Sequence, residues 1–163
     1  MTKSFRSALL GAIALTLIIP AVGLAQTSDS ENATASATIV APITITKVAD
    51  LDFGDIVADA TAAGSVTLST AGVAVPTTVQ HLGGESAASV SVTGVVGQTF
   101  SVSAIPGINL TGPGTAMPAT FTSNCGTCTI GTDGVAVGGT LTVNANQAAG
   151  SYSGVFTVTV SYN

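Results

Sequence analysis

Positive charge is what this 163-residue chain most lacks: Lys and Arg occur three times against eight Asp and Glu, and 7% of residues are charged. Two of the three cations, Lys3 and Arg6, stand ahead of the first apolar run, which leaves Lys47 alone in the rest of the chain. A surface that grips nucleic-acid phosphates needs clustered Lys and Arg, so no nucleic acid is expected as a partner. Tryptophan is absent, histidine occurs once, at His81, and no GxSxG nucleophile motif is present. Catalysis would have one imidazole and no marked nucleophile, so the chain does not read as an enzyme. No segment carries an amphipathic helical stripe of useful length, which leaves strands as the building elements.

What is present begins with an export signal. Residues 7–25, SALLGAIALTLIIPAVGLA, follow Lys3 and Arg6 without a charge and end in Gly23-Leu24-Ala25, with small residues at the two positions a signal peptidase reads. Residues 1–25 therefore read as a Sec-type signal peptide cleaved after Ala25, which places the protein in the periplasm, at the cell surface or outside the cell. The dense apolar part, residues 8–19, stops at Pro20 and is short for a bilayer span of about 20 residues, so no membrane span is expected after cleavage. Residues 26–163 have the size of one domain, with a polar, flexible extension over about 26–33.

Beyond that extension the apolar period is two. Ala33, Ala35, Ala37, Ile39, Ala41, Ile43 and Ile45 share one face, with Thr34, Ser36, Thr38, Thr44 and Thr46 on the other. Pro42 removes a ladder donor, so this is an edge strand or two strands broken at the proline. The stretch ADLDFGDIV continues the alternation with Leu51 and Phe53 inward, Asp50 and Asp52 outward, and Gly54 at a bend or bulge. Further short runs at 65–70, 73–80, 88–95, 99–105, 119–124, 134–143 and 155–162 are bounded by Gly, Pro, Asn or Asp. Many short strands with frequent turn signals predict an all-β sandwich or barrel with Greek-key connections.

The side chains that could carry chemistry each have a plainer reading. Cys125 and Cys128 lie between strand-like flanks, not at the helix start that makes such a pair reactive, and zinc would need four ligands. They are expected to form a disulfide across a tight turn centred on Gly126 and Thr127, worth roughly 2 kcal/mol at most on the loop-closure account. Asp50, Asp52, Asp55 and Asp59 miss the spacing of a calcium loop, and a solvated strand face explains Asp50 and Asp52. His81, beside Gly83-Gly84, reads as a turn residue. No metal and no cofactor is expected.

The last run is the most regular. Phe156, Val158, Val160 and Tyr162 alternate with Thr157, Thr159 and Ser161, so Tyr162 is predicted to be the fourth large inward side chain of a core strand. The penultimate aromatic Tyr162, the glycine fourteenth from the end, Gly150, and the alternation between them resemble the carboxy-terminal pattern of chaperone–usher pilins. Separately, ATIVAPITITKVADLDFGDIV together with GGTLTVNANQAAGSYSGVFTVTVSYN is similar to the bacterial secreted family called domain of unknown function 4402. The pilin resemblance implies an immunoglobulin-like antiparallel β-sandwich that a neighbour completes by adding a strand to an open edge. It also implies copies of the chain, with a periplasmic chaperone and usher, as partners. Carried onto this chain, the acceptor edge would comprise Gly150, Phe156, Val158, Val160 and Tyr162. The donor would comprise Ala35, Ala37, Ile39, Ala41, Ile43 and Ile45, unless that segment is the domain's own first strand.

Two functions follow as expectations. The first is a non-enzymatic structural protein of the bacterial surface, fimbria-like or coat-like, assembled by strand donation. The second is a self-contained secreted sandwich, an adhesin or carbohydrate-binding module working through loops such as residues 80–86 or 123–128.

Overall fold

The alternating runs become strands wherever a second backbone lies beside them. In chain order these are β1 (Thr44–Ala49), β2 (Asp55–Val57), β3 (Gly64–Leu68), β4 (Ala74–Thr77), β5 (Gln80–Gly83) and β6 (Ala88–Thr93). There follow β7 (Thr99–Val102), β8 (Ile108–Leu110), β9 (Met117–Ser123), β10 (Cys128–Thr129), β11 (Val135–Val143) and β12 (Val160–Tyr162). The structure, a computed structural model, describes residues 28–163, and the predicted signal peptide over 1–25 lies outside them. The chain divides into two units, Met1–Ala37 and Thr38–Asn163. Residues 28–37 are exposed and form no strand, and every strand belongs to the second unit. No helix occurs among the described residues, so none there is long and apolar enough to cross a membrane.

The fold is an all-β, sandwich-like assembly of antiparallel sheets. Its main layer is a seven-stranded sheet in the order β1-β6-β11-β3-β4, with β9 also on β11 and β8 on β9. Strand β11 is the trunk: Val137 pairs with both Ala88 and Ser123, and Gly139 with both Leu68 and Phe121. A residue has one neighbour on each side, so β9 runs along one edge of β11 while β6 and then β3 share the other. The inward residues follow period two, Met117, Ala119 and Phe121 on β9 and Val135, Val137, Leu141 and Val143 on β11, all buried.

The opposite layer comes in two separate pieces. A three-stranded sheet, β10-β7-β12, covers a core of Phe100, Cys125, Cys128, Ile130 and Val135. A two-stranded sheet, β2-β5, accompanies the larger core built around Phe53, Val66, Leu68, Phe121 and Leu141. Gly54, with φ of +76°, makes the predicted bend, and the β2-β5 register slips between Asp55 and Ile56.

Three local readings change. His81 sits inside β5, opposite Ile56, and its Nε2 lies 2.8 Å from the Phe53 carbonyl, so it is not a turn residue. The carbonyl can only accept, which requires Nε2 to carry the proton. Cys125 and Cys128 are joined as expected, 5.7 Å apart at Cα, yet they do not close a hairpin. Strand β9 pairs with β8 and β11 while β10 pairs with β7, so the chain passes from one layer to the other between the two cysteines. Gly126 accordingly needs no positive φ and is not among the glycines that have one. The predicted strand over 155–162 enters a ladder only at Val160.

Candidate functional site

A segment that keeps strand periodicity without a strand partner is the most unusual feature of the second unit. Residues 155–159 alternate exposed and half-buried side chains, with Phe156 and Val158 turned onto the larger core and Val155, Thr157 and Thr159 outward. Just before it, Ser153 and Thr111 exchange backbone hydrogen bonds of 2.9 and 3.0 Å. At its end the Ser103 amide donates to the Thr159 carbonyl at 3.0 Å, and β12 then pairs with β7. Among the described residues, no backbone hydrogen bond joins residues 154–158 to any neighbour. The alternation of the side chains alone does not require this.

An open cleft of about 890 Å³ lies alongside. Its floor is apolar, made by Met117 and Phe121 of β9 and Leu141 and Val143 of β11. One wall is the stretch 51–58, with Phe53 and Ile56 facing the core, and the other is 150–154 with Phe156. The Phe156 ring stacks on Phe121 with centroids 4.2 Å apart and planes 23° apart, an arrangement worth about 0.5–1.5 kcal/mol beyond the area it covers.

Both walls are held from behind. Asp52 and Ser86 exchange backbone hydrogen bonds of 2.8 and 2.9 Å, and His81 Nε2–H donates to Phe53. Glu85 Oε2 stands 3.7 Å from the same nitrogen. On the other side, Tyr152 Oη accepts from the Gly114 amide and from Gln147 Nε2, each at 2.8 Å, and donates to the Ala148 carbonyl at 2.8 Å. Gly150 adopts φ of +136°, and a Cβ there would lie 2.6 Å from Pro113 Cγ, so this turn needs a glycine twice over. Asp59 closes the adjoining loop by accepting from the Thr61 and Ala62 amides at 2.7 and 2.9 Å and from Thr61 Oγ1. The amide bonds, Thr61 first, then the hydroxyl, hold its carboxyl below the ordinary value of 3.8.

The carboxy-terminal residues singled out in the sequence divide between the two cores. Phe156 and Val158 pack on the larger one, Val160 and Tyr162 on the one around Phe100. The Val95 amide donates to Tyr162 Oη at 2.9 Å, which in turn donates to the Ala41 carbonyl at 3.1 Å. The remaining six scatter along the amino-terminal segment. Ile45 lies in β1, opposite Val92, and Ile43 packs against the Phe100 core. Ile39 and Ala41 are exposed ahead of β1, and Ala35 and Ala37 lie in the exposed stretch before Thr38.

The sequence reading missed Tyr152 and Met117. Extending the terminal period of two backwards from Phe156 through Gly154 reaches Tyr152, so that residue had a signal; Met117, next to Pro118, had none. Among the described residues no three His, Cys, Asp or Glu side chains converge to hold a metal. Set beside known proteins, the family pattern described as Domain of unknown function (DUF4402) matches residues 43–162. No curated protein and no solved structure matches the chain.

Proposed function

Since the chain belongs to the DUF4402 family, whose description carries no activity, we propose its function from the cleft: a non-enzymatic structural subunit of the bacterial surface, fimbria-like or coat-like, assembling by β-strand donation. The observation that carries this reading is the run 154–158, without a backbone partner among the described residues, which aligns a strand edge beside the cleft. A strand laid there would supply the missing ladder and cover the half-buried Phe156 and Val158. Burying Ile39 at about 1.5 to 3 kcal/mol and the alanine methyls of the same stripe at about 0.8 kcal/mol each would give a gross gain of about 5 kcal/mol before ordering costs, with the restored ladder adding to it.

The placement of β1 narrows the donor. Residues 44–49 already pair with β6 and Ile43 fills core space, so the part left for export to a neighbour ends near Ala41. Export through a Sec-type signal and passage by a chaperone and usher belong to the same proposal.

The test compares residues 26–163 with residues 41–163, which retain Ala41, Ile43 and β1. Detergent-resistant ladders of multimers from the longer form, and a folded monomer from the shorter, are the expected pair of results. Equal assembly by both, or a cooperative monomer from the longer form, would overturn the proposal in favour of a self-contained binding domain.

A further inference from the structure

We infer that the Cys125–Cys128 bond is a redox latch: it takes up slack where the chain crosses between layers, and its state is read out at the carboxy-terminal strand through the rung Cys128–Phe100–Tyr162. This holds whatever occupies the cleft. The two cysteines are anchored to different sheets. Asn124, next to Cys125, is tied three times to the start of β11 and the residue before it. Its amide donates to the Ala136 carbonyl at 3.1 Å, its Oδ1 accepts from the Ala136 amide at 2.8 Å, and its Nδ2 donates to the Gly134 carbonyl at 3.0 Å. Cys128 instead opens β10 and pairs with Phe100 of β7. Three residues of extended chain reach about 10 Å, whereas the bond holds the two Cα atoms 5.7 Å apart. Opening it releases about 4 Å of slack, close to the spacing of neighbouring strands, at the point that seats β10 on β7.

From Cys128 the path to the carboxy terminus is short. Phe100, fully buried, is the register partner of Cys128 on one side and of Tyr162 on the other, and all three side chains belong to the smaller core. The rung spans two strand spacings, about 10 Å. At its end the Tyr162 hydroxyl holds the Val95 amide and the Ala41 carbonyl. A shift of β10 therefore uncovers Phe100 and loosens Tyr162. The effect stays local, because both of the chain's cysteines lie in the smaller core, where they supply two of its five buried residues, and the larger core is built without them. Closing the latch takes two electrons and two protons from the two thiols and passes them to a disulfide-bearing oxidant, which leaves as a dithiol while one S–S bond forms. In an oxidising compartment β12 is seated; in a reducing one it is loosely held.

The experiment is amide hydrogen exchange on the oxidised protein and on protein reduced in urea and refolded under dithiothreitol, which ends as its cyclic disulfide. The probes are Gly97, Ile130 and Asn163, whose amides donate to the Ile130, Gln98 and Thr99 carbonyls. Reduction should speed their exchange about tenfold and leave Thr140 and Leu141, in the middle of β11, within about twofold. Equal acceleration in both sheets would make the bond a general staple and overturn the latch, as would no acceleration at the three probes. Cys125→Ala combined with Cys128→Ala, which needs no reductant, should reproduce the reduced pattern; exchange like that of the oxidised protein would overturn it. A second arm tests the rung. Tyr162→Phe should speed exchange at Ile130, on the far side of β7, about threefold in the oxidised protein and no more than about 1.5-fold in the reduced one. The same effect in both states, or none in the oxidised protein, would overturn the coupling through Phe100.

Discussion

Removing a single oxygen tests whether the carboxy-terminal run is tied into the sandwich. In Tyr162→Phe the ring stays against the Phe100 core, but the hydroxyl that accepts from the Val95 amide and donates to the Ala41 carbonyl is gone. The Val95 amide is partly buried and loses its partner, which costs about 1 kcal/mol; the Ala41 carbonyl is exposed and turns to water, for a few tenths more. The sum, about 1–1.5 kcal/mol, corresponds to a fall in melting temperature of about 5 °C for a unit of this size. Urea unfolding followed by circular dichroism should show a lower midpoint at unchanged slope. Tyr162→Ala also takes the ring out of the core and should cost a further 2–3 kcal/mol or so. If Tyr162→Phe matches the parent and Tyr162→Ala costs no more than a surface change, within about 0.5 kcal/mol, the tail is not part of the core and the reading of the acceptor edge fails.

The same hydroxyl should couple to Gly94. A Cβ on Gly94 would run into Tyr162 Oη and lie 3.0 Å from Ile130 Cδ1, so Gly94→Ala should destabilise by about 1–3 kcal/mol in the parent and by roughly 1 kcal/mol less in Tyr162→Phe; strict additivity in that double-mutant cycle would contradict the contact. Reducing the Cys125–Cys128 bond should lower unfolding free energy by about 2 kcal/mol or less, read from urea curves with and without reductant, because the closed loop is so short. Asp59 should titrate below 3.8 by nuclear magnetic resonance. Since its folded value lies below its unfolded one, its contribution to stability is present above the unfolded value and is lost as pH falls through the folded one, and Asp59→Asn should flatten that acid limb.

Much of the architecture is legible from spacing. The alternation in 65–70, 88–95, 99–105, 119–124 and 134–143 identifies five strands to within two or three residues, since a sheet with one buried face imposes period two on its sequence. The disulfide was legible because two cysteines allow one pairing. Its position at a layer crossing was not, since spacing says nothing of which sheet each flank joins. His81 was misread for a related reason: neighbouring glycines suggest a turn, while its place in β5 depends on Ile56, twenty-five residues earlier in the chain.

The terminal run shows where one kind of knowledge passes into the other. By itself the sequence determined that Phe156, Val158, Val160 and Tyr162 turn to one side, because side-chain alternation is a local property of extended backbone. Only the tertiary structure decided that 160–162 pair with β7 while 154–158 pair with nothing described, and that a cleft opens there. A ladder needs a second backbone about 5 Å away, and no pattern within one segment records whether that neighbour exists.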